Sequence, residues 1–182
     1  ISKDFKSDVT AFVDLPFYSE LVSGSSRFAF AEKKAQAYLA IRRLPVAVRL
    51  GQFDTIYGIE RNDSRDRFFA DNGAVKEYII PDTHAGLLGG VSSHNNGIDF
   101  VIRGLVANPS DQTNLANNNP EFGAQFRLEG ARGYGAFGFL LNEAKNVPTN
   151  STNLLINAMG GFAFNKFRID GEFDNKKTAT VD

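Results

Sequence analysis

A two-residue alternation between apolar and charged side chains recurs along this sequence and constrains its fold more than any other feature. Between Phe5 and Leu15 an extended chain would carry Ser7, Val9, Ala11, Val13 and Leu15 on one side, and Lys6, Asp8, Thr10, Phe12 and Asp14 on the other. Near the other end, Phe167, Ile169, Gly171 and Phe173 alternate with Arg168, Asp170, Glu172 and Asp174. A chain with this period forms β-sheet whose two faces differ in chemistry. A soluble sheet with a core on one side satisfies the pattern. So does a membrane barrel with lipid outside and a wet lumen inside.

Following the period along the chain predicts about nine strands, each roughly eight to twelve residues long, longer than the five or six usual in globular sheets. They run over Phe5 to Leu15, Lys33 to Arg43, Val46 to Phe53, Thr83 to Ser92, Ile98 to Ala107, Phe122 to Glu129, Tyr134 to Glu143, Asn153 to Phe164 and Phe167 to Asp174. In the seventh the facing is open, because Phe137, Phe139 and Leu141 compete with Ala136 and Leu140. Such lengths suit a tilted membrane strand. The abundance of Phe and Gly, 17 of each, favours strands and tight turns over helices.

The predicted connections alternate in length. Short ones fall at Arg43 to Pro45, His94 to Gly97, Gly130 to Gly133 and Asn165 to Lys166, where Asn and Gly supply the positive φ of tight hairpins. Long ones cover Pro16 to Glu32, Asp54 to Asp82, Asn108 to Glu121 and Ala144 to Thr152. Strict alternation is what an up-and-down barrel with a turn end and a loop end produces; Greek-key connections of a sandwich have no reason to follow it.

Composition excludes several classes. With 20 Lys and Arg against 21 Asp and Glu, the chain has no basic field to draw in nucleic acid. No cysteine is present, which removes disulfides, thiolate metal sites and cysteine nucleophiles. No apolar run approaches the roughly 18 to 20 residues of a membrane-spanning helix. The charged faces of the strands hold Lys6, Asp8, Arg42, Arg49, Asp99, Arg103, Arg127, Glu129, Arg168, Asp170 and Glu172. Charges of both signs turned to one shared space imply water there. In a soluble lipocalin-like barrel the meaning would invert, with apolar residues lining a ligand cavity. More than eight strands favours the membrane reading.

The segment from Asp54 to Asp82 is too long for a simple connection and is dense in acids and bases. It is expected to fold inward and narrow the lumen, setting Glu60, Asp63 and Asp66 against Arg49, Arg103 or Arg127; the alternative is a surface loop held by its own charge pairs. Opposed charges at a constriction orient dipolar solutes and set ion preference. His84 and His94 raise the question of a barrel lipase or a metal site. No Gly-x-Ser-x-Gly elbow and no His-Glu-x-x-His run accompanies them, so neither a catalytic residue nor a metal ligand is assigned. The oxygen-rich Asn108 to Glu121 segment lacks EF-hand spacing and reads as a solvated loop. Gly-rich words such as that of Gly133 to Gly138 sit in a strand with no following helix, and suit close packing of barrel walls, including against a second protomer, better than phosphate binding.

The stretch that carries Arg49, Gly51, Phe53, Thr55, Gly58 and Glu60 resembles the OmpL-like outer-membrane porin family, whose pattern has a basic strand ending Gly-x-Phe and then a T-x-x-G-x-E loop. Pro81, Thr83, His84 and Gly86 match the family's next strand opening; Asn117 to Asn119, Pro120, Phe122 and Ala124 match its Asn-rich loop and following strand. The resemblance spans roughly Ala35 to Leu141. It implies a bacterial outer-membrane porin for passive diffusion of small hydrophilic solutes and ions, embedded in outer-membrane lipid, without a cofactor, and commonly a homo-trimer.

The sequence is therefore expected to form a single all-β domain over 1–182, a transmembrane up-and-down antiparallel β-barrel with a constriction loop at 54–82. An odd strand count and a final segment without a closing aromatic residue point to part of a barrel of about 12 to 16 strands. A structural or adhesive barrel with a plugged lumen is the second expectation, and a soluble β-barrel holding an apolar ligand the third.

Overall fold

A computed structural model describes residues 2–6, 8–15, 17–22, 25–30, 35–43, 45–59, 79, 81, 83–108, 120–142 and 151–180. The described residues form twelve strands: β1 (Ser2–Lys6), β2 (Val9–Asp14), β3 (Phe17–Val22), β4 (Ser25–Phe30), β5 (Gln36–Arg43), β6 (Val46–Asp54), β7 (Thr83–Asn95), β8 (Ile98–Asn108), β9 (Glu121–Gly130), β10 (Gly133–Leu141), β11 (Ser151–Phe164) and β12 (Phe167–Thr180). Ten of them make one antiparallel sheet in the order β1-β2-β5-β6-β7-β8-β9-β10-β11-β12. Apart from the inserted β3-β4 hairpin, every strand lies beside its sequence neighbour, which is the up-and-down topology. Among the described residues no pairing joins β1 to β12.

Two sequence expectations are corrected. The alternating stretch from Phe5 to Leu15 is not one strand: the chain turns at Asp8, and β1 folds back on β2 with an irregularity between Asp4 and Lys6. Lys6 pairs with Val9, three positions on, so the phase of the alternation changes across that turn. The connection Pro16 to Glu32 contains a second hairpin, with Phe17 opposite Phe30 and Val22 opposite Ser25. With β1 and β2 separate, the sheet has ten strands where about nine are expected; β12 also continues past Asp174 to Thr180.

Short and long connections alternate as the turn chemistry requires. Asn96 and Gly97 both take positive φ, 49° and 78°, between the paired ends Asn95 and Ile98, which is the two-residue hairpin geometry that matches strand twist. Asn165 does the same at 54° between Phe164 and Phe167. The short turns share one end of the sheet, and the connections after β2, β6, β8 and β10 share the other.

Cross-strand register sorts the side chains into two faces. Every large apolar side chain that is exposed among the described residues, from Val13 and Leu39 through Ile102, Phe126 and Phe137 to Phe173, lies on one face. The opposite face carries Arg42, Arg49, Arg103 and Arg127 with the buried Phe53, Leu88, Leu105, Leu140 and Leu155. Strand β10, ambiguous in sequence, puts Phe137, Phe139 and Leu141 on the apolar face and Ala136 and Leu140 inside.

The sheet is curved around that inner face. The Ile59 N–H donates to Glu172 Oε2 on β12 at 3.1 Å, although Ile59 is five residues beyond the end of β6. Five residues reach at most about 18 Å. In a flat sheet the six spacings from β6 to β12 would separate them by about 29 Å. The inner face is therefore concave, and the segment Asp54–Ile59 crosses it.

Candidate functional site

The site is the concave face together with the strap at 54–59 that leaves β6 and lies across it. The strap is fixed at both ends and in the middle. At its start Asp54 Oδ1 accepts from the Thr55 N–H at 3.0 Å, and Thr55 Oγ1 accepts from the Tyr57 N–H at 3.3 Å. Thr55 Oγ1 also lies 3.2 Å from His84 Nε2, and His84 Nδ1 lies 2.9 Å from Glu121 Oε2. For a neutral imidazole one tautomer satisfies every contact: Nδ1–H donates to the carboxylate and the Thr55 hydroxyl donates to Nε2, an assignment made from the partners. His84 and Glu121 are wholly buried.

A hydroxyl, an imidazole and a carboxylate in series have the makings of a nucleophilic relay. Here the imidazole is sealed from any substrate, and the hydroxyl already accepts from the backbone. The geometry makes the trio an anchor that holds the strap's first turn to β7 and β9. Farther along, the Ile56 carbonyl accepts from Gln125 Nε2 on β9, and the Tyr57 hydroxyl donates to the Phe139 carbonyl on β10 at 2.7 Å. Glycine makes room for that ring: a Cβ on Gly123 would run into the Tyr57 hydroxyl, and one on Gly138 would meet its ring at 2.9 Å. Burial, helped by the Glu121 carboxylate, pushes the Tyr57 hydroxyl well above the ordinary phenol range, so it stays a donor.

The interior is layered along the strands. Toward the loop end, Phe53, Ile56, Tyr57, Leu88, Leu105, Leu140 and Leu155 pack as one apolar cluster. Toward the turn end it is polar, and one register row runs Arg42, Ala47, Gly90, Arg103, Gln125, Gly138, Asn157, Asp174 across eight strands. Its cations stand on β5 and β8 and its carboxylate on β12. Curvature turns these two flanks toward each other.

The charged residues singled out from sequence on β5 to β12 each have a definite place. Arg42, Arg49, Arg103 and Arg127 line one cavity of about 410 Å³ under the strap. Arg49 sits 5.1 Å from the centre of the Tyr38 ring and Arg127 4.4 Å from that of Tyr134. Arg103 Nη1 donates to Gln125 Oε1 at 3.1 Å. Nearer the turns the charges pair locally: Asp99 with His94 at 2.7 Å, Glu129 with Arg127 at 3.0 Å, and Asp170 with Arg168 at 2.7 Å. Glu172 stands apart from these, joined to the strap through Ile59 and to Asn157 Nδ2 at 3.0 Å. The same Nδ2 donates to Asp174 Oδ1 at 2.8 Å, so one amide bridges two carboxylates.

Glu60, Asp63 and Asp66 lie outside the described residues, as does most of the segment 54–82. The residues that sequence reasoning passed over are Tyr57, Glu121, Asn157 and Asp174. Inward position on an alternating strand was a usable signal for Asn157 and Asp174; nothing in the spacing announces that Glu121 meets His84, 37 positions away.

No family model matches the chain, and no curated protein and no solved structure matches it either.

Proposed function

We propose that the chain forms the wall of an outer-membrane porin, a β-barrel whose water-filled lumen passes small hydrophilic solutes and ions by passive diffusion. The observation that carries this reading is the separation of the two faces. Every exposed large apolar side chain described lies on the convex face, including Ile102 at 59% and Phe137 at 55% exposure, while Arg42, Arg49, Arg103 and Arg127 with Asp170, Glu172 and Asp174 turn inward. A sheet in water places its exposed charge on the outside; one in lipid does the reverse. A contiguous apolar surface of this extent is costly in water. The alternation of short turns and long connections and the motif resemblance to OmpL-like porins support the same reading. The strap across the concave face supplies a place where the lumen narrows. Closure into a barrel, with strands beyond the ten described, belongs to this proposal, as does assembly into a homo-trimer.

A second reading is favoured by one feature: the cluster around Tyr57 and Leu140 fills the interior at the loop end. A structural or adhesive barrel with a plugged lumen would have such a plug. Liposome swelling separates the two. Vesicles loaded with the refolded protein and placed in isotonic solutions of small neutral solutes swell if the lumen conducts, faster for smaller solutes. Vesicles that hold the folded protein and do not swell favour the plug.

A further inference from the structure

We infer that the arginine-lined cavity under the strap is a binding subsite for small oxyanions, solutes bearing a carboxylate or phosphate group, and that it makes anions the preferred traffic of the lumen. This rests on the porin reading for its passage and deepens it by naming the class of solute.

The cavity has about 410 Å³, enough for a small organic acid or a phosphorylated fragment, and brings together Arg42 on β5, Arg49 on β6, Arg103 on β8 and Arg127 on β9. Among the described residues that line it, Asp54 is the one carboxylate. Glu129 adds a second nearby negative charge through Arg127 Nε, which leaves the described wall with a cationic excess. Register explains the convergence. Arg49 pairs across with Ala40, two positions from Arg42 on the same face, and Gly90, opposite both Ala47 and Arg103, leaves the intervening strand without a side chain there.

How the guanidinium groups are held matters as much as their number. Arg49 rests against Tyr38, which itself stacks on Phe12 at 4.9 Å, and Arg127 rests against Tyr134. A ring face steadies a guanidinium through its electrons and takes none of its N–H donors. The planar fork that remains is matched to carboxylate and phosphate oxygens, which it can grip in pairs. A lysine wall would present point charges; this wall presents oriented donors. On the opposite flank the carboxyl groups of Glu172 and Asp174 on β12 both accept from the Asn157 amide.

The test uses the intact protein in planar bilayers at low ionic strength, where screening leaves the wall charges felt. A potassium chloride gradient gives the ion preference, and succinate and inorganic phosphate added separately give competition for the passing current. The expected results are a reversal potential on the chloride side and partial block by at least one probe. The stronger of the two says whether carboxylated or phosphorylated solutes fit. In Arg49→Gln/Arg127→Gln, block weakens about tenfold or more for the loss of two charge-assisted contacts, and the reversal potential moves toward potassium. Arg49→Lys/Arg127→Lys keeps the charge without the fork; it retains the chloride preference and loses probe block. Open channels that prefer potassium, or that prefer chloride yet are blocked equally in wild type and both variants, overturn the inference while the porin reading stands. If no channel forms, it is the porin reading that has failed.

Discussion

The Ile59 N–H and the Glu172 carboxylate meet at 3.1 Å across the concave face although 113 positions separate them in sequence. This contact ties the strap that leaves β6 to the last strand of the sheet, and with Asn157 it gives one carboxylate two donors from two elements. The sheet can accommodate it only by curling, so the contact reports curvature and strap position together.

Glu172→Ala therefore leaves the Ile59 N–H and one Asn157 contact without their acceptor. A loss of about 1–3 kcal/mol in unfolding free energy is expected, the range for leaving a buried donor without its acceptor, together with faster proteolysis near the strap. Glu172→Gln, which keeps an acceptor oxygen, should lie closer to wild type. Denaturant unfolding in detergent micelles measures both; equal stability for wild type and Glu172→Ala would mean that the strap is not held there.

The buried pair of His84 and Glu121 makes a second demand. Removing either partner leaves a wholly buried polar group short of one hydrogen bond, at a cost of about 1–3 kcal/mol. His84→Ala and Glu121→Ala should each destabilise by that order, and the double variant by clearly less than the sum, since both single changes lose the same contact. Strict additivity in the double-mutant cycle would show that the 2.9 Å contact carries no coupling.

Gly123 offers a test of the Tyr57 slot. A methyl group there collides with the Tyr57 hydroxyl. Gly123→Ala should cost about 1–3 kcal/mol, as overpacking does. In a Tyr57→Phe background, which deletes the colliding atom, most of that penalty should vanish. A penalty unchanged in that background would place the strap elsewhere.

The convex face predicts its solvent. Ile102 sits near the middle of β8 and points outward, while its neighbour Val101 points in. In lipid, Ile102→Arg should cost about 2–4 kcal/mol of folding stability; on a water-facing sheet the same change stays within about 0.5 kcal/mol. Folding titrations in lipid vesicles discriminate between these values.

The sequence exposed the sheet more fully than the site. Period-two alternation is a backbone property, so the faces of β5, β6, β8, β9 and β12 follow from it directly, and Asn-Gly at 96–97 marks its turn by the φ it needs. The turn at Asp8 escaped because only the first few residues of the alternating stretch precede it, and the β3-β4 hairpin because aromatic and polar residues are interspersed there without a clean period. The arginines of the wall were readable for the same reason as the faces. The anchor was not. His84 and Glu121 meet because β7, β8 and β9 pair in one particular register and the strap then covers them, a tertiary fact no local pattern encodes. Tyr57 looked like one residue of a long polar loop; its role depends on glycines at 123 and 138, three and four strands away from β6.

Single-channel recording from the intact, refolded protein in a planar bilayer is the measurement to make first. Folding and insertion are verified independently by heat-modifiable migration and protection from protease. Discrete current steps of uniform size, proportional to salt concentration, are expected for a water-filled lumen behind the charged concave wall. A verified, inserted protein that leaves the bilayer silent would contradict an open pore, and would make the cluster around Tyr57 and Leu140 a plug rather than a constriction.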